Sequence, residues 1–164
     1  MLSLTPALAL AQGEDPGLPF EQGDMEIALA LGLATGEDSY QYAVGGAFAY
    51  YVLPGLAPGL DVTFHGGDQI PNQTWVLVPL KWIVYRSRTF APYLVAEGGR
   101  IFIHEGQPDL WMAGGGPGFY LSFSPRAGAE VQVILYRLFP ENQCEGTAEG
   151  CTRLLPGLRI SFVL

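Results

Sequence analysis

The last eleven residues carry an apolar side chain at every second position. Residues 154–164 read Leu-Leu-Pro-Gly-Leu-Arg-Ile-Ser-Phe-Val-Leu, with every even position apolar and Gly157, Arg159 and Ser161 at odd ones. A period of two marks a strand with one apolar and one polar face. The length suits a tilted strand crossing a bilayer, which takes about 9 to 11 residues. A lone sheet edge in hydrocarbon leaves backbone groups unsatisfied, so such a strand needs enough partners to close a sheet on itself.

The same pattern recurs upstream. Met25, Ile27, Leu29, Leu31 and Leu33 alternate with Glu26, Ala28, Ala30, Gly32 and Ala34, and Tyr42, Val44, Phe48 and Tyr50 with Ala43, Gly45, Ala47 and Ala49. A turn over residues 54–59 leads to a third segment that sets Leu60, Val62 and Phe64 against Asp61, Thr63 and His65. The fourth sets Val76, Val78, Leu80 and Trp82 against Trp75, Leu77, Lys81 and Ile83. In the fifth, Leu94 and Ala96 oppose Tyr93, Val95 and Glu97, and Gly98-Gly99 predicts a bulge that keeps Arg100 on the small-residue face and swings Ile101 and Ile103 to the other. The sixth and seventh continue the alternation, and residues 140–152 form the longest connection. The spacing predicts an all-β, eight-stranded, antiparallel up-and-down barrel with short turns, spanning residues 24–164.

Composition supports an apolar solvent. The chain is 49% hydrophobic and only 15% charged, with 22 glycines. The uncharged stretch between Asp38 and Asp61 is broken by Gly45, Gly46, Pro54, Gly55, Pro58 and Gly59, which argues against a membrane helix. A net charge of −8 without a basic patch argues against a nucleic-acid partner.

The charged side chains fall on one face. Glu26, Asp61, Lys81, Glu97, Glu130 and Arg159, with Arg100 if the bulge forms, lie opposite the aliphatic stripe. A soluble sandwich also puts its charges on one face, but it does not crowd that face with Gly and Ala while giving the bulk to the other. In a narrow barrel the small residues make room, and the charges pair in a luminal salt-bridge network. Tyr40, Tyr51, Trp75, Tyr85, Phe90, Tyr93, Trp111 and Phe139 lie near strand ends, where interfacial aromatic girdles are expected.

Residues 1–11 end in Ala9-Leu10-Ala11, which fits the small-x-small rule for the close of a secretory signal, although the basic residues that usually begin one are missing. Residues 12–23, rich in Gly, Pro and acids, then form a loose periplasmic lead-in. In an exported protein Cys144 and Cys151 favour a disulfide across a short loop; in a cytosolic one they would be free thiols. Neither a metal site nor a cofactor is expected.

The chain resembles the small eight-stranded bacterial outer-membrane β-barrels, the class that includes the transmembrane domain of outer-membrane protein A. The resemblance rests on the architecture of residues 25–164 and on Leu158-Arg159-Ile160-Ser161-Phe162-Val163-Leu164 at the end. It departs at Leu164, where an aromatic residue is usual, and in loops too short for an extended adhesive surface. The resemblance implies a monomeric outer-membrane protein with a periplasmic amino terminus, in contact with outer-membrane lipids and delivered by barrel-assembly machinery that recognises the final strand. A structural or surface-interaction role comes first. Three other readings stand beside it: a narrow pore, a lipid-modifying enzyme and a soluble lipocalin-like binder. The enzyme reading would draw on Asp61, His65 and His104, but strand residues four apart are roughly 13 Å distant and no serine stands out as their partner, so no catalytic residue is assigned.

Overall fold

The computed structural model describes residues 18–35, 40–68, 71–104, 106, 108–140 and 151–164, with side chains of residues 33–35 outside the description. The signal-like residues 1–11, residues 12–17 of the lead-in and Cys144 lie outside these residues. Eight strands follow in order: β1 (Met25–Thr35), β2 (Tyr40–Tyr50), β3 (Leu56–Gly67), β4 (Gln73–Ile83), β5 (Phe90–Ile103), β6 (Leu110–Ser124), β7 (Ala127–Phe139) and β8 (Thr152–Val163). Each pairs antiparallel with the next, and β8 pairs with β1 to close an up-and-down barrel.

The seams are unequal in length. The β1–β2 register runs from Met25↔Tyr50 to Thr35↔Tyr40. The closing seam runs only from Glu26↔Val163 to Ala30↔Arg159, extended by backbone bonds of 3.1 and 2.8 Å between Met25 and Leu164. Beyond Arg159, β8 continues along β7 as far as Arg137↔Thr152.

Alternation sorts the two faces as the sequence predicts. Outward-facing Leu29, Val78, Leu80, Leu135, Leu158 and Ile160 are exposed, while Ala28, Asp61, Leu77, Glu97, Glu130 and Ser161 are buried inside. Residues 18–24, Leu164 and the turns 51–55, 84–89 and 125–126 gather at one mouth, here the near mouth. The opposite strand ends, at Thr35, Tyr40, Gly67, Gln73, Ile103, Leu110, Phe139 and Thr152, lie at the far mouth.

Three local expectations are corrected. Strand β3 begins at Leu56, so the turn is confined to Pro54-Gly55, and Pro58 and Gly59 lie within the strand. A proline is tolerated there because its missing N–H lies on the β2 side, where Leu56 accepts from Val52 N, and the β2–β3 pairs end at Ala49↔Gly59, one residue short of Pro58.

The second correction concerns Arg100. Strand β5 has no bulge at Gly98-Gly99: its registers with β4 and β6 run unbroken through Gly99↔Leu77 and Gly99↔Met112. Gly99 is there for space. A Cβ on it would lie 2.0 Å from the Val76 carbonyl oxygen, and the Leu77 side chain crowds the same point. With alternation intact, Ile101 is buried inside and Arg100 faces outward, paired with Asp109 at 2.8 Å and lying over the rings of Phe102 and Trp111.

The third concerns the lead-in. Phe20 is packed rather than loose, fully buried against Tyr51 and Tyr120 at the near mouth, while Gln22 and Gly23 are exposed.

Candidate functional site

The lumen is where the chain concentrates its chemistry. Six of the seven residues expected in an internal charge network face it, and five of them form two ion-paired groups rather than one. Nearer the terminal end, Lys81 Nζ on β4 lies 2.6 Å from Glu26 Oε1 on β1 and 2.9 Å from Glu130 Oε2 on β7. Farther in, Arg159 Nη2 on β8 lies 2.5 Å from Asp61 Oδ2 on β3. Glu97 on β5 accepts a hydrogen bond from the Tyr136 hydroxyl on β7. Lys81 is thus the base shared between two acids.

Tyrosines complete the first group. The Tyr51 hydroxyl donates to Glu26 Oε2 at 2.6 Å, and the Tyr93 hydroxyl lies 3.1 Å from both Glu130 Oε2 and Gln132 Oε1. Lys81 Nζ also sits 4.9 Å from the centre of the Tyr93 ring, on its face. Tyr93 is aimed by glycine: a Cβ on Gly118 would crowd Tyr93 Cζ, so the ring lies across the neighbouring strand and carries its hydroxyl toward Glu130. In the second group the Thr63 hydroxyl donates to Asp61 Oδ1 at 2.9 Å.

Tyr51, Tyr93 and Trp75 therefore leave the girdle predicted for them and belong to the interior. Tyr40, Tyr85, Phe90, Trp111 and Phe139 remain exposed on the outer wall. Their strand-end position alone does not separate the two sets. Parity does, because Tyr93 shares its face with Glu97, and Trp75 shares its face with Lys81.

A buried charge is costly unless it is paired and its remaining hydrogen bonds are made. Glu26, Asp61 and Glu130 are each no more than 3% exposed, and each has a base within ion-pair distance. The space left among Glu26, Lys81, Glu97, Gln132 and Arg159 is about 20 Å³. A single water needs roughly 10 to 15 Å³ by this measure, so the polar layer is close to filled.

Apolar and aromatic groups lie on both sides of this layer. Toward the far mouth, His65 stacks on Trp75 with ring centres 4.2 Å apart, and Trp75 meets Tyr136 edge-on at 6.3 Å. Leu77, Ile101, Met112 and Leu138 are buried on the inward face around them. At the near mouth stands Phe20.

The residues of the enzyme reading do not converge. Asp61 is engaged by Arg159 and Thr63, and His65 by Trp75. His104 lies against Thr74 and Phe64, side chains of the outward face.

No protein-family model matches the chain, and no curated protein matches it. Among solved structures, the N-terminal β-barrel domain of OprF from Pseudomonas aeruginosa is similar, with a TM-score of 0.62 and 15% identity over 87% of this chain and 98% of that one. The outer-membrane protein OprG from the same organism is also similar, with a TM-score of 0.56 and 10% identity over 89% and 98% of the respective chains. At such identities the likeness is one of fold, and the chain has the fold of the small outer-membrane β-barrels.

Proposed function

We propose that the chain is a monomeric integral outer-membrane protein with a structural or surface-interaction role, its interior filled rather than conducting. The observation that carries this reading is the distribution of bulk and charge across the wall. Leu, Val, Ile and aromatic side chains are exposed on all eight strands, while ion-paired acids and bases fill the lumen. A soluble lipocalin-like binder has the opposite polarity, with an apolar lumen and a polar exterior. Alternation of this kind suits a barrel in lipid. The amino terminus then lies in the periplasm with the near mouth, the longer connections face outward, and the final strand serves the assembly machinery.

Two observations favour a filled interior over a pore. Eight strands leave room for little beyond side chains, and the polar layer leaves about 20 Å³. Folded protein is expected to require detergent, to migrate on gels differently before and after heating, and to give no steady conductance in planar bilayers. A monodisperse monomer in plain buffer would overturn the membrane reading, and a steady current would overturn the filled lumen.

The disulfide belongs to the same proposal. Cys151 stands at the start of β8, and its carbonyl accepts a 2.8 Å hydrogen bond from Leu138 N on β7; Cys144 lies outside the described residues. A bridge between them closes the longest connection beside the last seam. Reduction is expected to change the gel mobility of the oxidised protein, and identical mobility would count against the bridge.

A further inference from the structure

We infer that residues 18–23 form a strap that stoppers the near mouth, with Phe20 as the stopper and Arg86 as the latch. The inference rests on the filled-lumen reading and assigns this end of the closure to particular residues. Phe20 is fully buried although it lies outside every strand. Its ring centre is 5.3 Å from that of Tyr51 and 5.0 Å, edge-on, from that of Tyr120, both inward-facing residues at this mouth. Behind Tyr51 stands Glu26, which accepts a hydrogen bond from its hydroxyl and binds Lys81. The stopper therefore covers the ion group from the terminal side.

The backbone of the strap is held against its local preference. Phe20 has φ 71°, in the left-handed region that a bulky side chain rarely adopts. Such a conformation persists where surrounding contacts over-determine it. Here the Phe20 carbonyl accepts from Gly55 N at 2.9 Å and from Arg86 Nη1 at 3.2 Å, and the same Arg86 nitrogen pairs with Glu21 Oε1 at 2.9 Å. One guanidinium from the β4–β5 turn thus grips two consecutive residues of the strap.

The junction with β1 turns at a glycine. Gly23 has φ 95°, and nothing lies within 4 Å of where its Cβ would be. On the other side of the strap, a cavity of about 450 Å³ opens between Pro19, Arg88, Thr89 and the end of β6. Backbone bonds from Gly23 N to the Tyr51 carbonyl and from Gly55 N to the Phe20 carbonyl, both 2.9 Å, also hold the strap, and the Phe20 ring and Arg86 are the side-chain contacts that a substitution can remove.

Ser161, fully buried on the inward face of β8 and paired with Gly128 beneath Tyr120, offers a reporter behind the stopper. The test places Ser161→Cys in a Cys144→Ser/Cys151→Ser background of the full chain in detergent and follows its reaction with a charged methanethiosulfonate. With Phe20 present, labelling is expected to be slow. Phe20→Ala or Arg86→Ala should raise the rate by roughly tenfold or more, since access no longer waits on local opening, while Phe20→Leu should keep it slow. Heat-dependent gel migration checks that each variant is folded. Equal slow rates in the wild-type, Phe20→Ala and Arg86→Ala strap sequences would overturn the strap and leave the filled lumen standing. Rapid labelling with Phe20 in place would overturn both.

Discussion

Replacing Arg159 by methionine is expected to lower the unfolding free energy of the barrel by about 3 to 5 kcal/mol, the usual cost of leaving one member of a buried ion pair alone. The arginine is the base within 2.5 Å of Asp61, and Asp61 is buried on β3 with the Thr63 hydroxyl as its other hydrogen-bond partner. Methionine retains much of the aliphatic stem, so the effect falls mainly on the carboxylate left behind. Urea unfolding of the folded protein in detergent, followed by tryptophan emission and gel migration, measures it. Adding Asp61→Asn should restore much of the loss, because the neutral amide is cheaper to bury. A double variant as unstable as Arg159→Met alone would shift the explanation from charge to packing around the guanidinium.

The second large effect concerns the outer wall. Val78 is the middle residue of β4, faces outward and is 60% exposed. In a bilayer, Val78→Arg should cost about 2 to 4 kcal/mol, the penalty for an arginine meeting lipid near the midplane. On a water-soluble barrel the same change would be close to neutral, as most surface substitutions are. Unfolding measured in lipid vesicles, with Val78→Ala as the control, separates the two. A Val78→Arg protein as stable as the control would mean that this wall meets water.

Much of this architecture is legible in the chain because bulk itself alternates. Leu29, Val78, Leu135 and Ile160 mark the outer face without help from charge, and the acids and bases at the opposite parity follow them inside. Arg100 was misplaced for a specific reason. A Gly-Gly pair reads equally as a bulge or as room for a close strand neighbour, and only the register shows that Gly99 makes room for Leu77. An arginine beside isoleucines also looks inverted until its position near the far rim is known, where Asp109 and the Trp111 ring receive it.

Tyr51 and Tyr93 show a second limit. An aromatic residue near a strand end suits an interface or an interior, and which hydroxyl meets which carboxylate depends on neighbours several strands away. Phe20 marks a third. Residues 18–24 have no period to read, and nothing local indicates that a ring so near the start of the described chain is buried among residues from β6 and the β2–β3 turn.

The short closing seam gives the luminal ions a mechanical meaning. A closed sheet resists opening along each ladder in proportion to its length, and the ladder between the first and last strands ends at Ala30↔Arg159. Both strands on this seam are tied to distant parts of the wall: Glu26 on β1 reaches Lys81 on β4, and Arg159 on β8 reaches Asp61 on β3. These chords work like spokes in a hoop with a short weld. Loss of either spoke should make β1 and β8 the place where the hoop first parts.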